Sequence, residues 1–200
     1  MAIRTANNQS LTEITAFPSA VALGGLILLE TQTASSDATI DFTSGIDSTY
    51  KEYIFKFIDI HPSNNDVALQ VNFRDGSTAY DAVKTTTDFR SVHREDDGLG
   101  SIGYITGSDL AQSTAAQPLN VTLDAENDSC LVGQLHLFDP SNTTFVKHFI
   151  ARTQEVLYAA SSQEVYVAGY CNVTAAIDGV QFAMNSGNID AGTIKLYGVT

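Results

Sequence analysis

Four histidines and a crowd of carboxylates are the side chains here best able to do chemistry. The histidines are His61, His93, His136 and His148. Residues 131–151 read as a β-hairpin turning at DPSNTT, where Pro140 and Asn142 suit a tight turn. Centred on Asn142, such a hairpin sets His136 directly opposite His148, with both imidazoles on one face. Two imidazoles that close could begin a zinc site, but zinc needs a third and usually a fourth ligand. No Cys or acidic residue stands well placed beside them. The plainer reading is an outward-facing polar pair, and no metal is assigned.

The carboxylates gather in loops. Asp124 to Asp128 (DAEND) and Glu95-Asp96-Asp97 present oxygen atoms of the kind that bind Ca²⁺. Neither has the spacing of an EF-hand loop, and acids crowd ordinary turns in a chain this charged. They read as solvated turns. Paired carboxylates also hydrolyse glycosides, yet nothing singles out two of them, and Trp, the usual sugar-stacking platform, does not occur. No G-x-S-x-G, H-E-x-x-H, phosphate-loop or dinucleotide motif is present. The chain is therefore expected to be non-enzymatic, with no catalytic residues and no cofactor.

Charge narrows the partners. Twenty-three acidic residues against 10 basic ones leave a net charge of −13. Such a surface repels nucleic-acid phosphate, whose binding relies on clustered Lys and Arg. The one basic run, Arg90 to Arg94, is followed at once by EDD. Nucleic acid is excluded as a partner. Membrane insertion is not expected either: Ala20 to Leu29 is too short to cross a bilayer and reads as a buried strand bent at Gly24-Gly25. MAIRTANNQS lacks the apolar core of a secretory signal, so synthesis in the cytoplasm is expected. Cys130 and Cys171 fall in separate predicted strands and read as buried thiols, with pairing left open.

The elements that must position these groups are strands. SCLVGQLHLF, FVKHFIA, EVYVAGYC, VQFAMN and GTIKLYGVT are strand-length runs rich in β-branched and aromatic residues, separated by turn chemistry. Upstream, Ile40 and Phe42 alternate with Asp41. Tyr50 to Ile60 is apolar on both parities, as in a covered central strand. Val67, Leu69, Val71 and Phe73 alternate cleanly with polar residues. Residues 75–128 are weaker in pattern: TTDFRSVH and GLGSIGYI read as strands, and GSDLAQSTAAQP as a loop with room for one helical turn. Ten to eleven strands joined by short turns predict an all-β, two-sheet antiparallel β-sandwich, with jelly-roll connectivity favoured.

Residues 1–19 stand apart as a short arm, with isolated apolar residues at Ile3, Leu11, Ile14 and Phe17. They read either as a loose terminus or as an anchor to a neighbouring subunit; the sandwich domain then spans 20–200.

Several segments together resemble small virion structural proteins of tailed bacteriophages of the marine and cyanobacterial type. They are MAIRTANNQSLTEIT, TQTASSDATIDFTSGIDSTYKEYIFKFIDIHP, LHLFDPSNTTFVKHFIA, and above all the closing SGNIDAGTIKLYGV. The resemblance covers nearly the whole chain and is weakest over 75–128. It implies a non-enzymatic jelly-roll unit in the virion, placed as a tail fibre or adsorption appendage, or else as a capsid decoration or head-fibre protein. A free carbohydrate-binding module is the other reading. The implied partners are other virion proteins, further copies of the chain in a trimer or dimer, and a host-surface glycan. Loops are where such a rigid unit carries recognition. The candidates are Asn64, Asn65 and Asp66; Glu95, Asp96 and Asp97; and Glu126, Asn127 and Asp128.

Overall fold

The computed structural model describes residues 25–157 and 160–200; the arm at 1–19, with Ile3, Leu11, Ile14 and Phe17, lies outside the described residues. Twelve strands follow: β1 (Leu26–Thr33), β2 (Ile40–Phe42), β3 (Glu52–Pro62), β4 (Leu69–Arg74), β5 (Lys84–Arg94), β6 (Gly100–Tyr104), β7 (Gln117–Pro118), β8 (Leu131–Phe138), β9 (Lys147–Leu157), β10 (Ser161–Cys171), β11 (Gly179–Met184) and β12 (Ile189–Val199). Among the described residues there is no helix, so GSDLAQSTAAQP forms turns and irregular backbone instead of a helical turn.

The strands form two antiparallel sheets, one of eight in the order β1-β12-β3-β8-β9-β10-β5-β6 and one of four in the order β2-β11-β4-β7. The all-β sandwich read from the sequence is the fold. The small sheet packs on β3 through Phe182 against Phe55 and Phe57, and on β9 through Phe73 against Phe149 at 4.9 Å. Set β5, β6, β9 and β10 aside and number the remaining eight strands among themselves. The layers then run 1-8-3-6 and 2-7-4-5, so the chain passes back and forth between sheets. The four set aside lie side by side at one end of the larger sheet and widen it.

Between the layers lies an aromatic core. Phe182 of β11 receives Phe42, Phe55 and Phe57 edge to face at 6.2, 5.3 and 5.2 Å. The alternating positions read from the sequence all point inward: Ile40 and Phe42, Tyr53 to Phe57, Val67 to Phe73, Val180 to Met184, and Ile194 with Leu196 are buried. The physical reason is the period of two, which commits every second side chain to the same face.

Three local expectations change. The hairpin of β8 and β9 pairs Leu131 with Glu155 and Leu137 with Phe149, so it is centred one residue later than Asn142. His136 consequently lies opposite Ile150, while His148 lies opposite Tyr170 of β10. The two imidazoles share a face but are not a direct pair; the eight-residue connection at 139–146 sets the register, not the Pro-Asn turn signal alone. Second, the part of the predicted buried strand that is described opens onto solvent: Leu26, Ile27 and Leu28 are 41, 40 and 52% exposed, because β1 is an edge strand paired only with β12. Third, Cys130 precedes β8 and is half-buried, while Cys171 closes β10 and is fully buried; both thiols are free.

Candidate binding face

On β3, β8 and β12 the apolar residues point inward. On the extension the inward face is mixed: Phe149, Ala151, Val165, Val167 and Cys171 are buried there alongside polar groups. The inward side chains of β5, β9 and β10 include Lys84, Thr86, Asp88, Lys147, Thr153, Glu155 and Gln163, all buried. Several of them meet segment 105–123, irregular except for the short strand β7, on the inner side of these strands. Thr86 Oγ1 donates to Gln117 Oε1 at 2.5 Å, and Thr153 Oγ1 to the Leu119 carbonyl at 2.5 Å. Glu155 accepts from Asn120 Nδ2 and Gln163 Nε2, each at 2.5 Å. Both amides are themselves oriented: Asn120 Oδ1 accepts from the Leu69 N–H at 2.6 Å, and Gln163 Oε1 from Arg90 Nη1 at 3.0 Å. Polar groups this deep are retained only where paired, and these bonds fasten the segment to the sheet.

Burial perturbs the ionisable members. Desolvation pushes the Glu155 carboxyl up to about 7, outweighing its amide and backbone donors. Asp88 is pushed up to about 6 by burial and then by the nearby charge of Asp109. Cys171 sits between Lys84 of β5 and Lys147 of β9 in register. Desolvation lowers Lys84 to about 8 and raises the Cys171 thiol to about 12, against the pull of both ammonium groups. The lysines are occupied. Lys84 Nζ donates to Asn72 Oδ1 at 2.5 Å and the Ala82 carbonyl at 2.8 Å, and Lys147 Nζ to the Val173 carbonyl at 2.6 Å. A thiol held neutral at neutral pH is a poor nucleophile.

The outer face of the same strands is aromatic. Register places Tyr104, Phe89, Tyr166 and Arg152 in one row across β6, β5, β10 and β9. Phe89 and Tyr166 stack with centroids 4.8 Å apart and planes 8° from parallel. The Arg152 guanidinium lies 5.3 Å from the Tyr166 ring and is paired with Glu164. A second row, Thr85, Tyr170 and His148, runs parallel to the first, and the small row Thr87, Ala168 and Ile150 lies between them. The result is a trough across the strands. Its two shallow hollows hold about 450 and 180 Å³. Ile150, Ile102, Tyr104 and Phe89 remain 51, 73, 53 and 41% exposed. A contiguous apolar patch of this kind marks a contact surface.

The loop residues singled out from the sequence lie at one end of the sandwich. Asn65 Oδ1 accepts from the Ala125 N–H at 2.8 Å, and the Asp66 N–H donates to Asp124 Oδ1 at 2.9 Å. Asn64 Nδ2 reaches Ser186 Oγ at 3.2 Å. Glu95, Glu126 and Asp128 line one small cleft with Ser129, Val156, Leu157 and Ala160, while Asn127 is exposed. Asp96 pairs with Arg94 at 2.9 Å and Asp97 with His93 at 3.0 Å. Among the described residues, no three His, Cys, Asp or Glu side chains converge as metal ligands. His136 Nδ1 instead faces Glu52 Oε1 at 2.5 Å.

Sequence reasoning missed the trough. Its signal was present in EVYVAGYC, where Tyr166, Ala168 and Tyr170 occupy one parity and Val165, Val167 and Cys171 the other. A strand apolar on both parities is covered on both faces, and here nothing in the described chain covers the outer one. No protein-family model matches the chain, and no curated protein matches it either. Fold and face together define an all-β sandwich with an exposed aromatic outer face.

Proposed function

We propose that this chain is a non-enzymatic structural protein of a tailed-bacteriophage particle, displayed at the virion surface as a tail-associated fibre or adsorption appendage that acts by binding. The observation that carries the reading is the outer face of the extension, where aromatic and aliphatic side chains are offered to solvent although the inner face is already buried. A protein whose work is contact needs a stiff platform and an unsatisfied face, and this one has both. The alternation of its eight principal strands between layers, 1-8-3-6 and 2-7-4-5, is the connectivity we read as a jelly roll. The segment resemblance to virion structural proteins supports the placement.

A free carbohydrate-binding module fits less well. Sugar rings stack on open aromatic faces, but one face of Tyr166 carries Phe89 and the ring also holds the Arg152 guanidinium. Antibody labelling of purified particles, with mass spectrometry of their proteins, tests the proposal: stoichiometric incorporation and decoration of the tail are expected. Decoration of the head instead moves the protein to the capsid, and absence from purified particles refutes the virion reading. Deletion of residues 1–19 is expected to leave a soluble sandwich that no longer enters particles; normal incorporation ends the arm hypothesis.

A further inference from the structure

We infer that the outer face of β5, β6, β9 and β10 is the contact between two copies of this chain, joined about a two-fold axis through the trough. The inference rests on reading this face as a contact surface, and names its occupant.

Charge is the first argument. The chain carries 23 acidic residues and a net charge of −13, so any two copies repel over most of their surface. Outward positions on β5, β6, β8, β9 and β10 include one acid, Glu164, and it is paired with Arg152 and accepts from Tyr166 Oη at 2.8 Å. Acids from neighbouring elements reach its margins: Asp109 at Tyr104 Oη, Asp97 at His93 and Glu52 at His136. Over the centre on β9 and β10 the one acid is neutralised by Arg152, so a like-charged partner can come close there. Composition is the second argument. Aromatic residues and Arg at the centre, with Lys absent, match the core of protein–protein interfaces. Size is the third. Four strands spaced roughly 4.8 Å apart, averaging about 30 Å in length, give on the order of 500 Å² in projection. The rough accessible surface is larger, and approaches the ~800 Å² per partner of a standard interface. Because one patch meets its own copy, the contact is isologous and the assembly a dimer.

The test is sedimentation velocity on the full chain with three single substitutions. Wild type is expected to be a dimer whose association tightens as NaCl rises from about 50 to 500 mM, since salt screens the repulsion between acidic bodies. Ile150→Glu and Ile102→Glu, both at exposed positions, are each expected to weaken dimerisation at least about 30-fold, the loss typical of a central contact. Their circular dichroism should match wild type, and their Tm should equal that of dilute wild type, lacking only the concentration-dependent gain from association. Leu28→Glu, on the opposite edge strand, should leave the dimer intact. A wild-type monomer at all concentrations overturns the inference. So does a dimer indifferent to both face substitutions, or one broken by Leu28→Glu or by removal of residues 1–24 alone. A monomer in which Ile150→Glu abolishes binding to a glycan array or to depleted particles also overturns it, and assigns the face to that partner. Failure of the virion reading is separate: a dimer with these sensitivities that is absent from particles refutes the location and leaves the contact standing.

Discussion

Glu155 is where the structure makes its sharpest demand on pH. The perturbation is Glu155→Gln, measured against wild type across pH. The side chain is 1% exposed and its carboxyl is raised from 4.5 to about 7. Between those values the folded chain keeps a proton that the unfolded chain releases. The native state therefore binds more protons, and stability falls as pH rises. Each tenfold gain in proton affinity on folding corresponds to about 1.36 kcal/mol. The chain approaches its pI near 4.4, so the useful range begins at about pH 5.5. From there to pH 8 the group should cost the wild type about 2 kcal/mol. The glutamine variant cannot titrate, and Asp88, also raised, is common to both proteins and cancels in the difference. Urea unfolding at half-unit pH steps is the assay. The wild-type-minus-variant stability should drop by about 2 kcal/mol over this range, complete near pH 8. A flat difference would show that burial does not govern this carboxyl. A rising one would show that the Asn120, Gln163 and Val121 donors outweigh desolvation and hold it ionised.

Two other measurements address the core. Phe182→Ala removes the ring against which Phe42, Phe55 and Phe57 pack, and should lower stability by about 3–5 kcal/mol in urea unfolding; a loss under 1 kcal/mol would mean that the layers collapse around the gap. Cys171, buried with its thiol pushed up to about 12, should resist an aromatic disulfide reagent at pH 8 until the chain unfolds. Rapid titration of two thiols in the native protein would contradict the burial.

What the chain's own alternation determined is local and robust. Val67 to Phe73, Val180 to Met184 and Ile194 with Leu196 declare their inner faces because side chains on a strand alternate with period two, whatever strand lies beside them. The loops at 64–66, 95–97 and 124–128 were recognisable as loops for the same reason that turns need particular residues.

Which strands become neighbours is a different kind of information, decided by long-range packing. Phe89, Tyr104, Arg152 and Tyr166 lie far apart along the chain, and only the order β6-β5-β10-β9 sets them in one row. The same assembly buries Lys84, Lys147 and Glu155, which no sequence rule would place inside. Segment 105–123 supplies partners that make the burial of Glu155 tolerable, and Asn72, Ala82 and Val173 do the same for the two lysines. His136 and His148 show the limit most simply: a pairing shifted by two residues turns a facing pair into two side chains that share a face without being opposite, and that register is set by the whole sheet.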